Sequence, residues 1–87
     1  MANHKSALKR IRQSERRRKS NQHVRSGMRT QVKSFRQAVE AGDASAAGEK
    51  LTLAISAIRR AASKGVIPKR RADRSVSRLS KQLNSLA

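Results

Sequence analysis

Val24-Arg25-Ser26-Gly27-Met28-Arg29-Thr30-Gln31-Val32-Lys33-Ser34-Phe35-Arg36-Gln37-Ala38-Val39 is the stretch that decides the fold. Its apolar residues Val24, Met28, Val32, Phe35 and Val39 recur at spacings of 4, 4, 3 and 4. At about 100° per residue they fall within roughly 80° of one helix face, which is the stripe of a helix packed on a core. The helix ends at Gly42, a good residue for a left-handed C-terminal turn, and Asp43 follows as the N-cap of a second helix. There Ala47, Leu51, Ala54, Ile55, Ile58 and Ala62 form a second stripe, whose alanines allow close approach of a neighbour. Lys64 suits the negative end of that helix, and Gly65 closes it with Val66 packing back. Pro68 is placed at the first position of a third helix, where its missing N–H costs nothing. Ala72, Val76, Leu79, Leu83 and Leu86 line one side of that helix, while Arg70, Arg74, Arg78 and Lys81 line the other. No segment alternates with period two. The expected fold class is all-α: a single domain over residues 1–87, a three-helix antiparallel bundle whose long first helix projects beyond the bundle at its N-terminal half.

The projection follows from carrying the core line of Val24 and Met28 toward the N-terminus, where it meets Arg10, Ser14, Arg17 and Asn21. No core can sit on such a line. Leu8 and Ile11 lie on another face and are too few to bury against anything in the chain. Residues 1–22 are therefore read as a basic arm and residues 23–87 as the bundle. Within the arm Lys5, Lys9, Arg12, Arg16 and Lys19 repeat at 4, 3, 4 and 3, a single stripe of cations. Like charges so spaced destabilise an isolated helix by about 0.2–0.5 kcal/mol per pair, so the arm is expected to be frayed when free and helical on a polyanion.

Charge points to that polyanion. Lys and Arg number 22 against 5 acids, a net charge of +17. Residues 1–37 hold twelve bases and one acid, residues 38–63 three of each, and residues 64–87 seven bases and Asp73. A compact state does not benefit from so much like charge. Nucleic acid rewards it, because each neutralised phosphate releases condensed counterions. Tyr and Trp are absent and the lone aromatic, Phe35, belongs to the core stripe, so stacking of bases on aromatic rings is excluded. Contacts are expected to go to phosphates and sugars through Lys and Arg, with Asn3, Ser6, Gln13, Ser14 and Asn21 as polar supplements. Shape, rather than sequence, is what such a surface reads.

Other classes fall away. With no cysteine, there is no disulfide framework, thiol nucleophile or Cys-based zinc site, and His4 and His23 have no acid at metal-ligand spacing, so no metal and no cofactor are expected. The five acids are scattered, with no pair suited to acid–base chemistry. Gly42, Gly48 and Lys50 have the wrong spacing for a phosphate loop, and Glu49 intervenes. An enzyme is not expected, nor a small-molecule substrate. No run approaches the roughly 18 apolar residues of a membrane span, and the Arg- and Ser-rich start lacks the amphipathic face of an organellar transit peptide. A histone-like DNA-binding protein shares the charge and is the alternative, although such proteins add dimerisation surfaces or minor-groove wedges.

The run Ala2-Asn3-His4-Lys5-Ser6-Ala7-Leu8-Lys9-Arg10, continued by Arg12-Gln13-Ser14-Glu15-Arg16-Arg17-Arg18 and Asn21, closely resembles the N-terminus of the S-twenty family of bacterial small-subunit ribosomal proteins. Ser26 with Arg29-Thr30, Glu40-Ala41-Gly42-Asp43, Ala61-Ala62-Ser63-Lys64-Gly65-Val66-Ile67 and Ser77-Arg78-Leu79 extend the resemblance over nearly the whole chain. It implies three helices with the first projecting into ribosomal RNA, and a primary RNA binder near the bottom of the subunit that touches more than one RNA domain and assists assembly. It further implies a place in the cytoplasm, in a ribosome of bacterial or organellar type, beside other small-subunit components. RNA contacts implied by the likeness are Asn3, Lys5, Ser6, Lys9, Arg10, Gln13, Ser14, Arg16, Arg17 and Asn21 in the arm, continued by Arg25, Arg29 and Lys64. The remaining cations of the two basic regions, Arg12, Arg18, Lys19, Lys33, Lys69, Arg70, Arg71, Arg74 and Arg78, complete the candidate surface. The chain departs from the family after Gly65, where Pro68 replaces a histidine and offers no donor, and where Lys69-Arg70-Arg71, Ala72 and Asp73 stand for Lys-Asn-Lys and two alanines. Arg70 and Arg71 preserve the charge there.

Overall fold

A computed structural model describes residues 2–86, with side chains from His4 onward. Among the described residues there are three helices and no strand: α1 (Ala2–Glu40), α2 (Ala44–Ser63) and α3 (Lys69–Asn84). The all-α class and the long first helix are as the periodicities predict.

Two glycines make the corners. At the end of α1 the Gly42 N–H donates to the Val39 carbonyl at 3.0 Å and the Asp43 N–H to the Ala38 carbonyl at 3.2 Å, with Gly42 at φ 74°. That pair of bonds closes a helix through a left-handed residue, which glycine adopts without a Cβ penalty. Asp43 then turns into the next helix, its carboxylate accepting from the Ala46 N–H at 3.0 Å. The pattern recurs after α2, where Gly65 at φ 76° donates to Ala62 and Val66 donates to Ala61, at 3.0 and 2.9 Å. Val66 and Ile67 are thereby carried into the core, and both are buried. Pro68 differs from its expected place by one residue. It is the N-cap of α3, with ψ 146°, and helical geometry begins at Lys69. Its fixed φ of −65° fits either position, and its carbonyl accepts the Ala72 N–H at 3.1 Å.

Phe35 and Ile58 are the largest fully buried side chains, joined by Ala47, Ala54, Ala61, Val66, Ile67, Ala72 and Leu79. Val24, Met28, Val32, Val39, Leu51, Ala62, Val76, Leu83 and Leu86 pack against them half-buried. The stripes read from spacing thus form the core, with two shifts. Near the end of α2 Ala61 is fully buried, like Ala47 and Ala54, with Ala62 beside it half-buried, and Ile55 sits at the margin. Ala47, Ala54 and Ala61, seven residues apart, form one line of small buried side chains along α2. α2 packs along α1 and along α3, whereas α1 and α3 scarcely meet. The bundle is consequently open. The whole molecule measures 65 × 21 × 14 Å along its principal axes, the long dimension set by α1.

The 39 residues of α1 span about 58 Å, against about 30 Å for the 20 residues of α2. The excess is the arm, helical from Ala2, the conformation expected of its bound form. Every side chain from His4 to Ser20 is exposed.

Candidate nucleic-acid interface

Spacing along α1 sorts its cations onto separate sides. Lys5, Lys9, Arg12, Arg16 and Lys19 keep one stripe, and Arg10 and Arg17 lie over the continuation of the core line where no protein meets them. A second row, Arg18, Gln22, Arg25, Arg29, Lys33 and Arg36, advances by 4, 3, 4, 4 and 3 residues. It lies roughly 120° round the axis from the first. Arg18, Gln22, Arg25, Ser26, Arg29, Thr30 and Lys33 together line a shallow hollow along the helix. Ser6, Gln13 and Ser14 are exposed among these cations, and Asn21 is half-buried where the bundle begins. Asn3 is the one candidate contact whose side chain lies outside the described residues.

The flanks of the α1–α2 seam differ. On one side Arg60 and Lys64 lie beside His23, Gly27 and Gln31, in line with the stripe of the arm. On the other, Arg29, Lys33 and Arg36 face Arg71 and Arg78 of α3 across the gap between α1 and α3. Lys64 is therefore separated by the seam from Arg25 and Arg29, with which the resemblance groups it. On α3 the row of Arg70, Arg74, Arg78 and Lys81 divides as well, because Arg78 turns to the gap while Arg70 and Arg74 stay on the exposed outer face. Lys69 lies with Asp73 and Arg59 on the far side of α3.

Arg36 and Arg60 belong to these surfaces and were absent from the candidate set. Arg36 could have been found, since it extends the row of Arg29 and Lys33 by one helical step. Arg60 has a weaker signal, one turn before Lys64 in a segment that is neutral as a whole.

Hardly any of this charge is compensated. Among the described residues the single ion pair joins Arg18 to Glu15 at 3.0 Å, and both side chains are exposed. Such a pair adds little to stability. Cations carried on a helix and left without carboxylates are suited to phosphate oxygens, with which arginine forms paired hydrogen bonds. Among the described residues no cluster of His, Asp or Glu could hold a metal ion, and no helix is long and apolar enough to cross a membrane.

The sequence profile of the family described as ribosomal protein S20 matches residues 2–84. The chain belongs to the ribosomal protein S20 family. It is 59% identical to the small ribosomal subunit protein bS20 of Geotalea daltonii, over the full length of both chains. Identity to the proteins of the same name from Geotalea uraniireducens and Geobacter metallireducens is 56% and 54%, each over 99% of both chains. The S20 family comprises structural ribosomal proteins and not enzymes. The match runs through the segment after Gly65 as well, Pro68 and Asp73 included.

Proposed function

We propose that this protein is a constituent of the small ribosomal subunit, in the cytoplasm, which binds the subunit's RNA directly through phosphates and shape and assists its assembly. One observation carries the reading. Residues 4–20 form helix exposed on every side, with eight cations and one acid. Among the described residues no protein surface covers that helix, and its charge asks for a dense polyanion. Its relatives are named as proteins of the small ribosomal subunit, which supports that subunit's RNA as the polyanion.

In this reading residues 1–22 are the arm and residues 23–87 the clamp that presents it. Lys5, Lys9, Arg12, Arg16 and Lys19 hold one RNA backbone, continued by Lys64. Arg18, Arg25, Arg29 and Lys33 hold another on a different side of α1, with Arg71 and Arg78 opposite. Arg10, Arg17 and the polar Asn3, Ser6, Gln13, Ser14 and Asn21 fill the arm's remaining contacts, and Lys69, Arg70 and Arg74 add a peripheral patch. Cations on two sides of one helix lower the repulsion between RNA segments brought together, which is how such a protein assists assembly. Cosedimentation tests the reading: the protein should follow small-subunit RNA in preference to duplex DNA or anionic liposomes. Equal partition onto DNA would favour a histone-like role and overturn it.

A further inference from the structure

The gap between α1 and α3 is a groove of about 500 Å³ that the phosphate-binding surface does not by itself explain. Its floor is apolar, made by Ile58, Ile67 and Leu79 with Met28 and Val32. Its walls carry Arg29, Lys33 and Arg36 on α1 and Arg71 and Arg78 on α3, and no acid lines it. Facing rows of uncompensated cations repel each other and oppose closure of the gap. The same rows attract an occupant that is anionic at its edges and apolar in its body.

We propose that this groove seats an unstacked nucleotide of the bound RNA strand, its base on the apolar floor and its flanking phosphates between the two arginine-bearing walls. The inference rests on the RNA-binding reading above and adds a base-holding site to it. Continuity supports it, since Arg29 and Lys33 line both this groove and the hollow along α1 with Arg18 and Arg25. A backbone following the second row of α1 is led into the groove without leaving the protein. Chemistry supports it too. Four of the five wall cations are arginines, whose planar guanidinium both pairs with phosphate and stacks on a base. The chain thus holds a base without any aromatic ring. Its volume lies within the range of about 300–1,000 Å³ typical of sites that enclose a small molecule.

The test uses the full-length protein bound to small-subunit ribosomal RNA. Ultraviolet crosslinking followed by mass spectrometry should place a nucleotide on peptides containing Met28, Val32 or Arg71. Val32→Trp fills the groove without changing charge. It should weaken RNA binding about tenfold, as expected when one base contact is lost, and abolish that crosslink, with a smaller change in the salt slope than removal of the wall arginines produces. Arg36→Gln with Arg78→Gln, both at exposed positions, should instead lower the salt slope by about two. Thermal melts of each variant report folding, and the double variant serves if Val32→Trp fails to fold. Binding and crosslinks that are unchanged in the variants overturn the proposal, as does protection of the groove by an acidic helix of another protein. Failure of the wild-type protein to bind the RNA at all would instead remove the reading on which the proposal rests.

Discussion

Deleting residues 1–22 should separate binding from folding. The deletion removes eight of the 22 basic residues and one of the 5 acids. Among the described residues it removes no core contact, because all side chains from His4 to Ser20 are exposed and the packed residues of α1 begin at Val24. Surface changes of this kind alter stability by about 0.5 kcal/mol, which is about 2–4 °C in Tm for a domain of this size. Binding should respond very differently. Each phosphate neutralised on duplex RNA contributes about 0.9 to the slope of log K against log salt, taking the B-DNA value, so eight contacts would contribute about 7. If only half the arm's cations are engaged, the slope still falls by about 3.6, equivalent to roughly three to four decades of affinity at 0.1 M salt relative to 1 M. Titration of small-subunit RNA at several salt concentrations, with thermal melts of full-length and truncated protein, measures both quantities. A truncated protein with no cooperative melt would show that the arm is structural. An unchanged salt slope would show that its cations are idle, and either result refutes the division between arm and clamp.

Leu79→Asp places a carboxylate at a position 3% exposed, at a cost of several kcal/mol against the stability of a small domain, so the melt should disappear; a retained cooperative transition would refute the seam assigned to α3. Gly65→Ala meets no atom within 4 Å of the new Cβ, so its cost should be the left-handed backbone alone, about 1–2 kcal/mol, read as a fall in Tm of about 4–8 °C per kcal/mol. Loss of the cap in Asp43→Ala should cost about 1 kcal/mol and Asp43→Asn much less; equal melts for the two would show that the bond to Ala46 is not stabilising. In the free protein at low salt, circular dichroism should show helix content that rises on adding RNA or salt, since like charges along the arm repel; a signal already at its bound value would show that the arm is helical unaided.

How much was legible can be judged residue by residue. Phe35, Ala47, Ala54, Ile58, Ala72 and Leu79 are buried where their spacing put them, because helical periodicity fixes the face of each helix without knowledge of its partner. Gly42, Asp43 and Gly65 are legible because a left-handed turn and a cap are local chemistry. The exposed arm is legible for a complementary reason: a line bearing Arg10 and Arg17 offers nothing to bury. Ala61 was read one position away at Ala62, since two adjacent alanines at the edge of a stripe fit it almost equally well.

The division of the basic surface was not legible. Arg70, Arg74 and Arg78 form one row by spacing, yet Arg78 turns toward α1 and its neighbours stay outside. Lys64 and Arg29 are both cations near α1, yet the α1–α2 seam lies between them.

The sequence by itself determined the three helices, their turns, the buried faces and the presence of an exposed basic arm, since each depends on residues a few positions apart. Only the tertiary structure decided that α2 lies in the middle and holds α1 and α3 apart. That outcome depends on how small alanines and large side chains share space among three helices at once, which no single helix's periodicity contains. From it come the opposed cations of the groove, its apolar floor and the separate sides of α1 on which the basic rows face outward.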